Sequence, residues 1–322
     1  MPLLTRIFAS VTLATFITNP AMAAPTSDDI EAATYSGGDL PPDQTAITAV
    51  VQVLLDRAGV SPGVIDGWKG GMSTSAIAAF ERREGMAVDG VMDAQVWSAL
   101  GGDARGAILT SYTITGEDTS AITPDLPEDY AKMAEVEKMG FESVAELLGE
   151  RFHMDIDFLS ALNPGVSFAE GDNVTVVAPA QDLTGEVARI EVAASSQRLT
   201  AYDASDVILA SYPVAIGSDA TPSPDGTHKV EAVAVDPNYT YNPDVNFQQG
   251  DNDEKLIVPP GPNGPVGTVW IDLSKPTYGI HGTPDPAKLF VAHSHGCVRM
   301  TNWDVMELAG MVGQGVTVDF IE

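Results

Sequence analysis

Ser294-His295-Gly296-Cys297-Val298-Arg299-Met300, with Ile280-His281-Gly282-Thr283 a dozen residues before it, is the stretch that decides how this 322-residue chain is read. Cys297 is its single cysteine, so no internal disulfide can form. A thiol attacks well only as the thiolate, so a useful nucleophile needs a base beside it. His281 can take that proton if a further group holds its ring in one tautomer. Gly296 lets backbone amides approach a developing oxyanion with no Cβ in the way. The same residue types allow a rival. His293, His295 and Cys297 alternate, which on a strand places them on one face, where His281 could complete a zinc set. Gly296 interrupts that run, and a catalytic zinc also needs an oriented outer shell of hydrogen bonds. A third reading keeps the domain as a non-catalytic scaffold, and the intact Cys297–His281 pair counts against it.

Around this stretch the apolar period is two. Ile190 and Val192, then Leu199 and Ala201, alternate about Ser195-Ser196 and predict a hairpin. Further strands are expected over Val207–Ile216, Thr268–Leu273 and Val316–Ile321, with one helix capped by Thr301 or Asn302. Towards the N-terminus the period becomes helical. Ile47, Val50, Val51 and Leu54 build one apolar face. Two Asp-Gly turns, Asp66-Gly67 and Asp89-Gly90, then each precede a helix, one with Ala76, Ile77 and Phe80 and one with Val96, Trp97 and Leu100. Trp68 and Trp97 read as core of that small unit. Residues 102–127 are rich in Gly, Thr, Ser, Asp and Pro and read as a linker. Two helices and a Val-rich strand follow within 128–180, with no opening strand legible before them.

Residues 1–23 place Arg6 before an apolar stretch that ends in Ala21-Met22-Ala23, the layout of a secretory signal peptide. Residues 24–43 read as a flexible lead. The formal net charge of −29 disfavours a nucleic-acid partner and electrostatic docking on anionic lipid.

The His-Gly-Thr and Ser-His-Gly-Cys-Val-Arg-Met pair resembles the catalytic signature of the L,D-transpeptidases of YkuD type. Ser223-Pro224-Asp225-Gly226-Thr227 and the Pro259–Gly267 run resemble that family too. Residues 44–101 resemble a small helical peptidoglycan-binding domain, and 128–180 look like a degenerate LysM glycan-binding module, with a helical spacer as the alternative. The implied architecture is multidomain: a mainly-β catalytic domain over 186–322, preceded by a helical peptidoglycan-binding bundle and a small α/β LysM-like module. The resemblance makes Cys297 the nucleophile, His281 the general base, and the Gly282 carbonyl the group that orients it. The amides of His295, Gly296 and Cys297 would form the oxyanion hole. Ser294 and Arg299 would contact substrate, although Arg299 could equally pin the loop from within. No metal or cofactor is implied.

The implied partners are peptidoglycan stem peptides and glycan, met in the periplasm by a monomer. Cys297 would attack the third stem residue, expel D-alanine and form a thioester. A second stem peptide would resolve it to a 3→3 cross-link. A wall-anchored lipoprotein or water are the other acceptors, the latter making the chain an L,D-carboxypeptidase or a lipoprotein-releasing hydrolase.

Overall fold

Thr26 accepts a hydrogen bond from the Asp29 amide and caps α1 (Ser27–Ala32), inside the segment expected to be a flexible lead. The computed structural model describes residues 24–178, 180–181, 183–218, 220–245 and 247–322; the export signal read in 1–23 lies outside them. Ile30 of α1 and Leu40 beyond it are buried in a core shared with α2 (Ala46–Arg57), α3 (Gly71–Arg83) and α4 (Ala94–Ala99). The lead is therefore packed structure. The doubled Asp-Gly pattern folds as a true echo. Gln52 Oε1 accepts from the Asp66 and Gly67 amides at 3.1 and 2.8 Å. A Glu81 carboxylate oxygen accepts from those of Asp89 and Gly90 at 2.9 and 2.8 Å. Each buried polar side chain of a helix thus satisfies one turn, which is why both are tolerated inside. Trp97 is core, with its indole N–H donated to Asp103 at 2.7 Å. Trp68 is not: it follows the Asp66-Gly67 turn outside any helix and stays 48% exposed.

The expected linker 102–127 is also structured. It holds β1 (Leu109–Thr113) and α5 (Gly116–Ser120). After it come α6 (Tyr130–Met133), α7 (Val144–Arg151), α8 (Ile156–Leu162) and β2 (Asn173–Val177). β1 pairs antiparallel with β2, Leu109 opposite Val177. The partner strand lies some sixty residues away, so no local pattern could announce it. Ile108, Leu109 and Ile114 join the same apolar core as α2, α3 and α8. The lead, bundle, linker and module expected between 24 and 180 therefore share one core.

The rest of the chain forms an eight-stranded sheet. Its members are β3 (Arg189–Ala193), β4 (Arg198–Tyr202), β5 (Ile208–Pro213), β6 (Gly226–Val235), β9 (Val269–Leu273), β10 (Gly279–His281), β11 (Val298–Arg299) and β12 (Thr317–Ile321). Their order is β11-β10-β9-β6-β12-β3-β4-β5. The predicted hairpin is β3–β4, with Ile190 opposite Ala201. β6 is ten residues long and shifts register between Val230 and Ala232; its first part pairs with β12 and its second with β9. β7 (Tyr239–Tyr241) and β8 (Leu256–Val258) form a separate two-stranded ribbon in the excursion between β6 and β9. Helix α9 (Asn302–Met311), capped by Thr301, buries Val305 and Leu308 in a second core beneath β9 and β10. Among the described residues no helix is long and apolar enough to cross a membrane.

The two cores meet through polar contacts. The Ser61 amide donates to the Ser211 carbonyl at 2.9 Å, and the buried Arg198 donates to the Ser61 carbonyl at 2.9 Å. Ser61 Oγ donates to Asp304 at 2.9 Å, and His153 stacks on Trp303 with centroids 5.2 Å apart.

Candidate active site

His281 ends β10, which lies antiparallel to β9 and parallel to β11. Its ring is buried and stacks on Trp270 at 5.5 Å and 19°. Nδ1 lies 2.7 Å from the Gly282 carbonyl oxygen. A carbonyl only accepts, so Nδ1 carries the proton and Nε2 keeps its lone pair. Burial, with a smaller push from the Arg299 charge, lowers the imidazole to about 4, and the Gly282 bond works in the opposite direction. The carbonyl is itself held in place. A Cβ on Gly282 or Gly267 would lie 2.1 or 2.0 Å from Asn302 Oδ1, which accepts from the Thr268 amide at 3.1 Å. Asn302 Nδ2 donates to Glu150 of α7 at 2.8 Å and to the Pro262 carbonyl at 3.1 Å.

Residues 293–297 form a bent loop, joined to Gly217 only by a bridge at Ser294. Ser294 is buried, and its hydroxyl donates to the Cys297 carbonyl while accepting from the Gly296 amide at 3.0 Å. Gly296 has φ +112°, and a Cβ there would meet Tyr278 Cε1 at 2.8 Å and the Pro222 carbonyl at 3.1 Å. Only glycine fits. The Gly296 carbonyl accepts from Ser223 Oγ at 2.9 Å, and that hydroxyl accepts from the Gly217 amide at 2.8 Å. Cys297 follows, immediately before β11. Burial raises its thiol above the ordinary value, against a hydrogen bond from Gly279 and the Arg299 charge, which pull it down. Cys297 and His281 line one cleft of about 500 Å³, together with Tyr130, Tyr239, Phe247, Trp270, Tyr278 and Arg299. A buried imidazole with a free Nε2 and a thiol in one cleft suit proton transfer to a nucleophile during acyl transfer.

Residues 188–319 match the model of the L,D-transpeptidase catalytic domain, and residues 47–100 that of a peptidoglycan binding domain. The catalytic-domain match spans about two fifths of the chain. Two Bacillus proteins named as L,D-transpeptidase YkuD are each 36% identical to it. The B. licheniformis match covers 40% of this chain and 63% of that protein. The B. subtilis match covers 34% and 52%. The chain thus spans under two thirds of the length of either. YbiS of Escherichia coli, also named as an L,D-transpeptidase, is 27% identical over 63% of this chain and 70% of its own length.

Within residues 188–319 the structure brings Cys297, His281 and Arg299 to one cleft, with Gly282 bonded to the His281 ring. Ser294, read as a substrate contact, lines the cleft, while its hydroxyl donates to the Cys297 carbonyl and accepts from the Gly296 amide. One expectation changes. The Gly296 amide, read as an oxyanion donor, is already taken by that hydroxyl. Arg299 does what its second reading proposed: its guanidinium donates to the His293 carbonyl while still lining the cleft. The zinc alternation fails because 293–297 is a bend, and His295 stacks on Phe247 at 4.1 Å. Among the described residues no three of His, Cys, Asp or Glu are grouped to hold a metal. Sequence reasoning missed Trp270, Asn302, Ser223 as a loop brace, and the aromatic wall from Tyr130 to Phe247. Ser223 stood in a quoted motif; the others carried no local signal.

Proposed function

We propose that the chain is an exported L,D-transpeptidase that acylates Cys297 with a peptidoglycan stem peptide. The observation that carries this is the 2.7 Å bond from His281 Nδ1 to the Gly282 carbonyl, which leaves Nε2 as the proton acceptor in the cleft that holds the only thiol. The thiol proton passes to Nε2 as Sγ bonds to the carbonyl carbon of the third stem residue. The carbon–nitrogen bond to D-alanine breaks, and its amine leaves with that proton. An amine of a second stem then attacks the thioester, forming the 3→3 amide and returning the thiol. With the Gly296 amide occupied, those of His295 and Cys297 are the oxyanion donors of this scheme. Arg299 supplies positive charge for a substrate carboxylate. The peptidoglycan binding domain match supports a wall substrate. The antiparallel β1–β2 pair, with α7 and α8 among the helices between its strands, supports a LysM-like glycan contact beside it, in the periplasm.

The test is incubation with tetrapeptide muropeptides and mass spectrometry of the products. A dimer lacking one D-alanine is the expected product, and a lipoprotein adduct in a mixture containing one would assign that acceptor instead. Tripeptide alone would make the chain a hydrolase. Cys297→Ala should abolish every product; turnover surviving it rejects the reading.

A further inference from the structure

One residue lining the Cys297 cleft lies outside the catalytic domain. Tyr130 opens α6, more than fifty residues before β3. Its ring meets Tyr239, Tyr241 and Phe247 edge-on, with centroids 5.7, 5.3 and 6.2 Å away. Phe247 in turn stacks on His295 at 4.1 Å and 17°, two residues before Cys297. A line of rings therefore runs from the N-terminal half of the chain to the nucleophile loop.

These contacts fall on the excursion that carries β7 and β8. A two-stranded ribbon is marginal on its own and needs something to pack against. The segment 128–142 supplies it at two points. Near the tip, Gln249 donates to the Glu128 carbonyl at 3.1 Å and Asn252 donates to Asp129 at 3.2 Å. The Tyr130 amide donates to Gln249 Oε1 at 3.3 Å. At the base, the Met139 amide donates to the Pro260 carbonyl at 3.0 Å, and the Asn263 amide to the Met139 carbonyl at 3.1 Å. Gly261 has φ +144°, and a Cβ there would lie 2.0 Å from the Met139 carbonyl oxygen. The backbones can close to this distance only over glycine.

We infer that Tyr130 is a specificity-determining wall of the Cys297 cleft, whose ring holds the aromatic excursion against the nucleophile loop and limits the bulk that reaches the thiol. A group bulkier than the cleft admits must displace that ring and with it the contacts to Tyr239, Tyr241 and Phe247. Its effect on peptide turnover rests on the transpeptidase reading; its effect on access to the thiol does not.

Because Cys297 is the only cysteine, thiol reagents report on this cleft alone. Full-length Tyr130→Ala, Tyr130→Leu and Tyr130→Phe are compared with the parent, using iodoacetamide as a small reagent and fluorescein maleimide as a bulky one. The ratio of bulky to small rates should rise about two- to tenfold in the Ala and Leu variants, the factor one aromatic pair is worth. Phe, which keeps the ring, should restore the parent ratio. On stem peptides, Ala and Leu should raise KM more than they lower kcat. The Leu variant keeps apolar volume and carries the test if Ala loses the fold. An unchanged ratio in variants that keep the parent's thermal transition overturns the proposal. If the ratio shifts while neither parent nor variant turns over stem peptides, the wall stands and the transpeptidase reading fails.

Discussion

A neutral thiol and a neutral imidazole in one cleft behave differently from an ion pair. Burial raises Cys297 and lowers His281 to about 4, so both groups are uncharged at pH 7. The proton then moves during attack. Alkylation of Cys297 by iodoacetamide should climb steadily with pH through the ordinary thiol range near ~8.5 and beyond. A flat plateau between pH 5 and 7 would reveal a preformed thiolate–imidazolium pair and reject this picture. His281→Ala should cut stem-peptide turnover by about 10²–10⁴-fold, the usual worth of a positioned base. Cys297, His281 and Gly282 were legible as candidates in the sequence because they stand in fixed local motifs. The duty of Ser294 was not, because its two partners are its own loop's Gly296 amide and Cys297 carbonyl, and only the φ of Gly296 brings them to it.

The start of α9 and the β3–β4 hairpin were legible because their causes are local, and other helix starts have the same kind of cause. Thr45, Asp93, Ser143 and Thr301 each accept an amide of the helix they begin. α3 differs: it starts from Gly70 with no side-chain cap. The alternation of His293, His295 and Cys297, already disfavoured by Gly296, carries no zinc set, because a period of two has meaning only where a partner strand exists, and here the loop bends instead. β1 escaped notice for the opposite reason: its partner exists but lies far along the chain. Ile108→Ala tests that finding. Ile108 is fully buried at the head of β1, so the loss should cost about 2–5 kcal/mol of stability in chemical denaturation. A true linker would register almost nothing.

At the scale of the molecule, the junction between the two cores gathers titratable groups. Asp56 and Asp304 raise His153 to about 9 against the effect of its burial, with Asp56 Oδ1 3.0 Å from its ring nitrogen. Burial raises Glu150 to about 8 and Asp304 to about 7, and Glu307 and Tyr212, bonded at 2.9 Å, are raised beside them. Asp304, Glu150 and His153 all titrate above their unfolded values, so their contribution to stability is complete at low pH and fades as pH rises through about 7 to 9. Calorimetry should therefore show Tm falling between pH 6 and 9. Ordinary carboxylates are already ionised at pH 6, so mutual repulsion within a chain of net charge −29 changes little across that window. A flat Tm would mean the junction groups do not titrate with folding. The sequence alone determined the β domain, its thiol, the candidate histidine and the helical bundle, since each rests on patterns within a few residues. Only the tertiary structure decided that residues 24–178 share one core, that Ser294 holds the loop, and that Tyr130 reaches the cleft. Those facts depend on which distant segments meet, and short-range periodicity carries no record of that.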